Sequence, residues 1–297
     1  MSSEPRSGFS QLCPHGADRV ELPGVYGPVA ALQGPQPTDP AATVLLVPGY
    51  TGSKEDFAPL LDGIAEAGLL PVAIDLPGQY ESPGPDDESA YGPAQLGKSV
   101  AELVTALSAE RPVLLLGHSY GGLVARAAVL AGAPVAGLTL LCSGPSALPP
   151  GPRYTALSIG EQLLRTQGVE ACYALREQLT AQLSPQIPPP PPELARFLRE
   201  RFVSTSAASL LGMADALRNE PDLVPDLATA LREHDIPALV VAGEHDNAWS
   251  VPSQRDMAQR LGVEFVAVPG AAHSPNTEAP HALLKELLPR WHAWLRR

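Results

Sequence analysis

A serine stands between glycines at Gly117-His118-Ser119-Tyr120-Gly121, directly after the apolar run 112–116. A G-x-S-x-G turn from a buried strand into a helix lifts the serine hydroxyl above a sheet, and the glycines leave space where side chains would collide. Taken alone, the motif is equally a tight strand-to-helix connection with Ser119 as an N-cap. Two later loops tip the reading toward chemistry. The run 238–242 leads into Gly243-Glu244-His245-Asp246, and the run 263–268 leads into Gly270-Ala271-Ala272-His273. A serine hydroxyl is a weak nucleophile near neutral pH, so it needs an imidazole to take its proton and a carboxylate to fix that imidazole's tautomer. Ser119 is the expected nucleophile, His273 the base and Asp246 the acid, in the chain order this kind of turn favours. Glu244 is the competing acid.

An acyl-transfer site also needs main-chain donors for the negative charge that develops on the carbonyl oxygen. Tyr120 follows the nucleophile at a helix N-terminus, and Tyr50 follows Pro48-Gly49 at the end of another apolar run. Their backbone N–H groups are the expected oxyanion pair. Glu244, His245, Asp246 and His273 are all possible metal ligands, but they crowd into two loops without helical H-x-x-x-H spacing. No metal and no cofactor is therefore expected. His118, next to the nucleophile, reads as a lining or packing residue.

The elements that must hold these loops follow from periodicity. Short, near-continuous apolar runs at 43–47, 71–74, 112–116, 135–141, 238–242 and 263–268 read as buried parallel strands. Amphipathic segments at 53–66, 90–108, 123–131, 253–260 and 280–295 fall where crossover helices belong, the first opening on a capping-box-like Ser53-Lys54-Glu55-Asp56. The alternation predicts an α/β fold with a doubly wound, mostly parallel sheet. Pieces near 20–22 and 29–32 suggest edge strands. One interval, 145–235, lacks strands and carries helical stretches at 159–166, 169–183, 194–203 and 207–217. The expected division is a core of 1–144 and 236–297 with a helical cap, 145–235, inserted in it. The five prolines from Pro188 to Pro192 read as a stiff polyproline II connector.

Composition narrows the partners. A chain of 297 residues with 44% hydrophobic and 18% charged residues buries a real core. A net charge of −12 with no basic patch argues against nucleic acid or an anionic membrane. No apolar stretch is long enough to span a bilayer and no signal-peptide pattern opens the chain. Cys13, Cys142 and Cys172 are odd in number and lack metal-ligand spacing, so reduced thiols in the cytoplasm are expected.

From about Thr43 onward the elbow and the Ser119, Asp246, His273 order resemble the α/β-hydrolase superfamily, especially its capped esterase, lipase and thioesterase-like members. That resemblance implies a cap over the nucleophile, and the Ala, Leu and occasional Phe and Tyr residues of the inserted segment suggest a small-molecule substrate with an apolar acyl group. Pro48-Gly49-Tyr50 stands where many members carry His-Gly and the oxyanion residue. Asp75-Leu76-Pro77-Gly78-Gln79-Tyr80-Glu81-Ser82 is similar to the family's D-x-x-G-x-G-x-S loop, with Tyr80 in place of the second glycine. A serine nucleophile points away from the aspartate-dependent branches. It leaves cleavage of esters, thioesters or lactones as the first reading; a receptor-like binder with little turnover or a cofactor-free perhydrolase would keep the same residues.

Overall fold

The computed structural model describes residues 10–183 and 189–297. Its strands are β1 (Asp18–Leu22), β2 (Val29–Gln33), β3 (Thr43–Val47), β4 (Leu70–Ile74), β5 (Val113–His118), β6 (Gly137–Leu141), β7 (Ala238–Gly243) and β8 (Glu264–Val268). They form one eight-stranded sheet in the order β1-β2-β4-β3-β5-β6-β7-β8. The strands expected from the six apolar runs, β3 to β8, pair in parallel, while β1 and β2 add an antiparallel hairpin beside β4. Every residue of β3 to β6 is buried, which is why their sequences show no alternation.

Helices cover both faces: α1 (Ala58–Glu66), α2 (Pro93–Ser108), α3 (Tyr120–Leu130), α4 (Pro152–Leu183), α5 (Pro192–Ser204), α6 (Ala207–Asn219), α7 (Val224–Glu233), α8 (Val251–Leu261), α9 (Pro275–Glu278) and α10 (Pro280–Trp294). Successive strand residues point to opposite sides. Leu45, Leu115 and Val240 therefore meet Leu96 of α2, Val124 of α3 and Met257 of α8, while Leu46, Leu116 and Val241 meet Leu60 of α1 and Leu287 and Trp291 of α10.

The interval between β6 and β7 is helical, as expected. The stretches 159–166 and 169–183 belong to one long α4, broken at Gly168, whose φ of 83° no helix accommodates. Helix α7, which the periodicity did not single out, sends Val224, Leu227 and Leu231 into the main core and is the crossover to β7. Helices α4, α5 and α6 share a small core of their own, Leu164, Tyr173, Phe202, Leu210 and Leu211. The chain leaves and returns through a zipped neck: the Ala147 N–H donates to Glu220 O and the Leu148 N–H to Leu217 O, both at 2.8 Å. The proline run begins at Pro188, outside the described residues. Pro191 is extended (φ −52°, ψ 149°) and Pro192 opens α5, a position where its missing N–H costs nothing. Among the described residues no helix is long and apolar enough to cross a membrane.

Candidate active site

Strand β5 ends at His118 and α3 begins at Tyr120, which leaves Ser119 alone in the turn at φ 54°, ψ −118°. A non-glycine residue at positive φ is strained and persists only where its surroundings hold it. Here the Ser119 N–H donates to Leu141 O at 2.8 Å, and its carbonyl accepts from the Gly122 N–H at 2.9 Å. The flanking glycines are obligatory. A Cβ on Gly117 would stand 2.1 Å from Gly121 O, and one on Gly121 would stand 2.4 Å from both Val47 O and Pro48 O.

The loops after β7 and β8 bring the other two expected residues to this turn. His273 Nε2 lies 3.0 Å from Ser119 Oγ, and His273 Nδ1 lies 2.9 Å from Asp246 Oδ1. A carboxylate only accepts, so Nδ1 carries the proton and Nε2 presents its lone pair to the hydroxyl. Asp246 is buried and fully engaged: the Ala248 N–H donates to Oδ1 at 2.9 Å and Gln254 Nε2 donates to Oδ2 at 2.8 Å. Burial works to raise its carboxyl, but the His273 hydrogen bond and charge, with those two donors, hold it below the usual carboxylate range. Glu244 is exposed and accepts from the Gly270 N–H at 2.9 Å, so it shapes the His273 loop from outside and does not meet the imidazole.

The loop after β3 lies against the nucleophile, close enough that a Cβ on Gly49 would stand 3.1 Å from Ser119 Cβ. The next peptide N–H belongs to Tyr50. Tyr120 is the first residue of α3, where a main-chain N–H has no intrahelical acceptor. Gln79, buried, donates from Nε2 to Gly49 O at 2.9 Å and accepts from the Leu76 N–H at 3.2 Å. Because the carbonyl of Gly49 and the N–H of Tyr50 belong to one rigid peptide, anchoring the first aims the second.

Tyr80 takes a backbone φ of 39°, the left-handed conformation a glycine would adopt freely. It is held by its N–H to Thr205 Oγ1 at 3.3 Å, by Lys54 Nζ 4.7 Å above its ring and by the edge of Phe197. Lys54 itself is buried among three carboxylates, Glu55 at 3.0 Å, Asp75 at 2.9 Å and Glu81 at 2.6 Å. His118 does more than line the turn: its Nε2 donates to His273 O at 2.7 Å, which ties the strand before the nucleophile to the histidine's own peptide. Burial, with the neighbouring His273, pushes the His118 imidazole down to about 4, so it stays neutral. Donor atoms of His118, Cys142 and His273 lie within 4.8 Å of one another. Both His273 nitrogens are already bonded, and burial raises the Cys142 thiol well above its ordinary value, so this trio is poorly suited to a metal.

Of the residues that meet here, sequence reasoning singled out Ser119, Asp246 and His273 and did not single out Gln79 or Gln254. Gln79 sits at a variable position of the 75–82 loop and Gln254 in no motif, so neither gives a signal; their partners are set by packing.

Comparison with known proteins adds independent findings. A model of the alpha/beta hydrolase family matches residues 44–286. The Bacillus subtilis (strain 168) protein named for 2-succinyl-6-hydroxy-2,4-cyclohexadiene-1-carboxylate synthase is 26% identical over 244 residues, covering 80% of this chain and 85% of that protein. Similar solved structures include a thermophilic esterase from Thermogutta terrifontis, with TM-score 0.68 and 23% identity over 94% of this chain and 98% of that one. The enol-lactonase from Burkholderia xenovorans LB400 has TM-score 0.71 and 19% identity over 94% and 100%. At these identities the structural likeness speaks to fold alone.

Proposed function

Because this chain belongs to the alpha/beta hydrolase family, we propose that it is a serine hydrolase that cleaves an ester-type bond, carboxylic ester, thioester or lactone, through an acyl-Ser119 intermediate. The observation that carries this reading is the unbroken line from Ser119 Oγ to His273 Nε2 and from His273 Nδ1 to Asp246. Ser119 Oγ attacks the acyl carbon while its proton passes to His273 Nε2, and Asp246 stabilises the imidazolium. The oxyanion is held by the main-chain N–H groups of Tyr50 and Tyr120. As the bond to the leaving group breaks, His273 returns the proton to that group. Water then repeats the sequence on the acyl-enzyme, losing a proton to His273 as the acid product departs and Ser119 is reprotonated. Within the interval 145–235, helices α4 to α6 act as the cap, while α7 belongs to the main core; support comes from the near-complete burial of Ser119 and from Tyr50, which packs on both the main core and the small α4–α6 core. The free thiols support a reducing, cytoplasmic setting.

A fluorophosphonate should label Ser119, and Ser119→Ala should abolish labelling and lower ester hydrolysis by about 10⁴-fold or more with an unchanged melting curve. Labelling at another residue, or unchanged hydrolysis, would remove Ser119 from the mechanism.

A further inference from the structure

Helical spacing puts Val169, Cys172, Tyr173 and Arg176 on one face of α4, since residues three, four and seven apart share a side. The first three pack into the small core with Phe202. At the fourth position, where another apolar side chain would complete the stripe, the chain places a guanidinium, 5.4 Å above the Phe202 ring. Arg176 is half-buried, and it is one of three arginines brought together here. Arg176 and Arg218 lie within electrostatic reach of the Tyr50 ring, and Arg201 stands beside Arg176.

Two of the three have counter-ions. Arg201 pairs with Asp56 at 2.6 Å and Arg218 with Glu161 at 2.5 Å. Arg176 has none among the described residues: the adjacent Glu177 is exposed and makes no ion pair with it. Burial and the charge of Arg201 both push its pKa below the ordinary arginine value, and the nearby Glu177, which pulls the other way, does not restore it. A shielded cation without a partner is costly, and proteins seldom keep one in an apolar setting without something to bind it. The contact with Phe202 gives only part of that stabilisation.

The position of this surplus charge matters. Tyr50 joins the small core to the nucleophile's turn, because its preceding residue, Gly49, touches Ser119. We propose that Arg176 is the anchor for a carboxylate at the far end of the acyl group, so that the preferred substrate is an ester-type compound of a dicarboxylic acid. One guanidinium matches a single negative charge, which favours a carboxylate over a phosphate dianion, and the apolar Leu210, Leu211 and Phe202 nearby suit a methylene chain. The proposal rests on Ser119 as the acylated nucleophile.

The test uses two esters of matched length, 4-nitrophenyl hexanoate and mono-4-nitrophenyl adipate, in which a terminal methyl is exchanged for a carboxylate. The wild type should prefer the adipate ester. Arg176→Met, similar in volume but neutral, should lower kcat/KM for it by about 10- to 100-fold while the hexanoate rate stays within about threefold. Arg176→Lys, which keeps the charge but loses the fork, should fall between. Equal losses on both esters, or a wild type that turns over hexanoate and not adipate, would overturn the anion site and leave the hydrolase reading standing. Free adipate supplies a readout independent of turnover: it should raise the melting temperature of the wild type and not of Arg176→Met. No shift in the wild type would overturn the proposal. Adipate stabilisation without cleavage of either ester or labelling of Ser119 would instead uphold the anion site and sink the proposed chemistry.

Discussion

Two acids follow β7, and only their surroundings separate them. Asp246 has three hydrogen-bond donors, one of them the imidazole, and sits out of water; Glu244 is exposed and caps a loop. Asp246→Asn should lower kcat by about 10³- to 10⁴-fold, because an amide can turn its own N–H toward Nδ1 and trap the wrong tautomer. Glu244→Gln should change kcat by less than about threefold. The reverse order, in side-by-side kinetics on one ester, would exchange their roles. From sequence both acids qualified, since each follows a buried strand at the end where such sheets bind ligands. What distinguishes them is the tight turn in which the Ala248 N–H donates back to Asp246 Oδ1, and Gln254 of α8, eight residues on, which donates to Oδ2. Gln79 was equally hidden: it reaches a carbonyl 30 residues away.

At the scale of elements, the loop 75–82 after β4 and the turn that opens α1 are pinned together by one buried ammonium. Lys54 Nζ meets Asp75, Glu55 and Glu81, and the Lys54 N–H also donates to Asp75 Oδ1 at 2.7 Å. Burial raises the Asp75 carboxyl to about 6 despite Lys54. Its folded value thus exceeds its unfolded one, so the folded chain holds the extra proton between about pH 4 and 6 and this group's contribution to stability falls as pH rises through that window. Above it, the charged carboxylate depends on Lys54. Lys54→Met should therefore cost about 3–5 kcal/mol at pH 7, in line with breaking one side of a buried ion pair. The deficit should shrink at pH 5, where Asp75 takes up a proton. Urea denaturation at the two pH values checks both statements, and a deficit independent of pH would place the charge balance elsewhere. The resemblance located this loop, and its departure at Tyr80 proved to be a substitution in the side chain alone: the backbone keeps the glycine's conformation, held by Lys54, Thr205 and Phe197.

Over the whole molecule, the central strands β3 to β6 were legible because burial on both faces makes them apolar throughout, and the C-terminal ends of the parallel strands carry the candidate site. The edge hairpin was visible only as fragments, since β1 is largely exposed. Helix α7 was not singled out, although Pro225 sits in its first turn, where proline is welcome. The neck formed by Ala147, Leu148, Leu217 and Glu220 has a further consequence. Because β6 and β7 are neighbours and the chain between them is closed at its base, the sheet has no means of registering how long that excursion is. Lengthening a closed loop of some seventy residues by ten adds only about 0.1 kcal/mol of closure entropy. Ten Gly/Ser residues grafted between α5 and α6 should therefore leave the urea midpoint of the sheet nearly unmoved while altering which acyl chains are accepted. A large loss of stability would mean that the excursion is a strut. Its indifference would mean that descendants of this scaffold are free to exchange what they recognise without renegotiating how they fold.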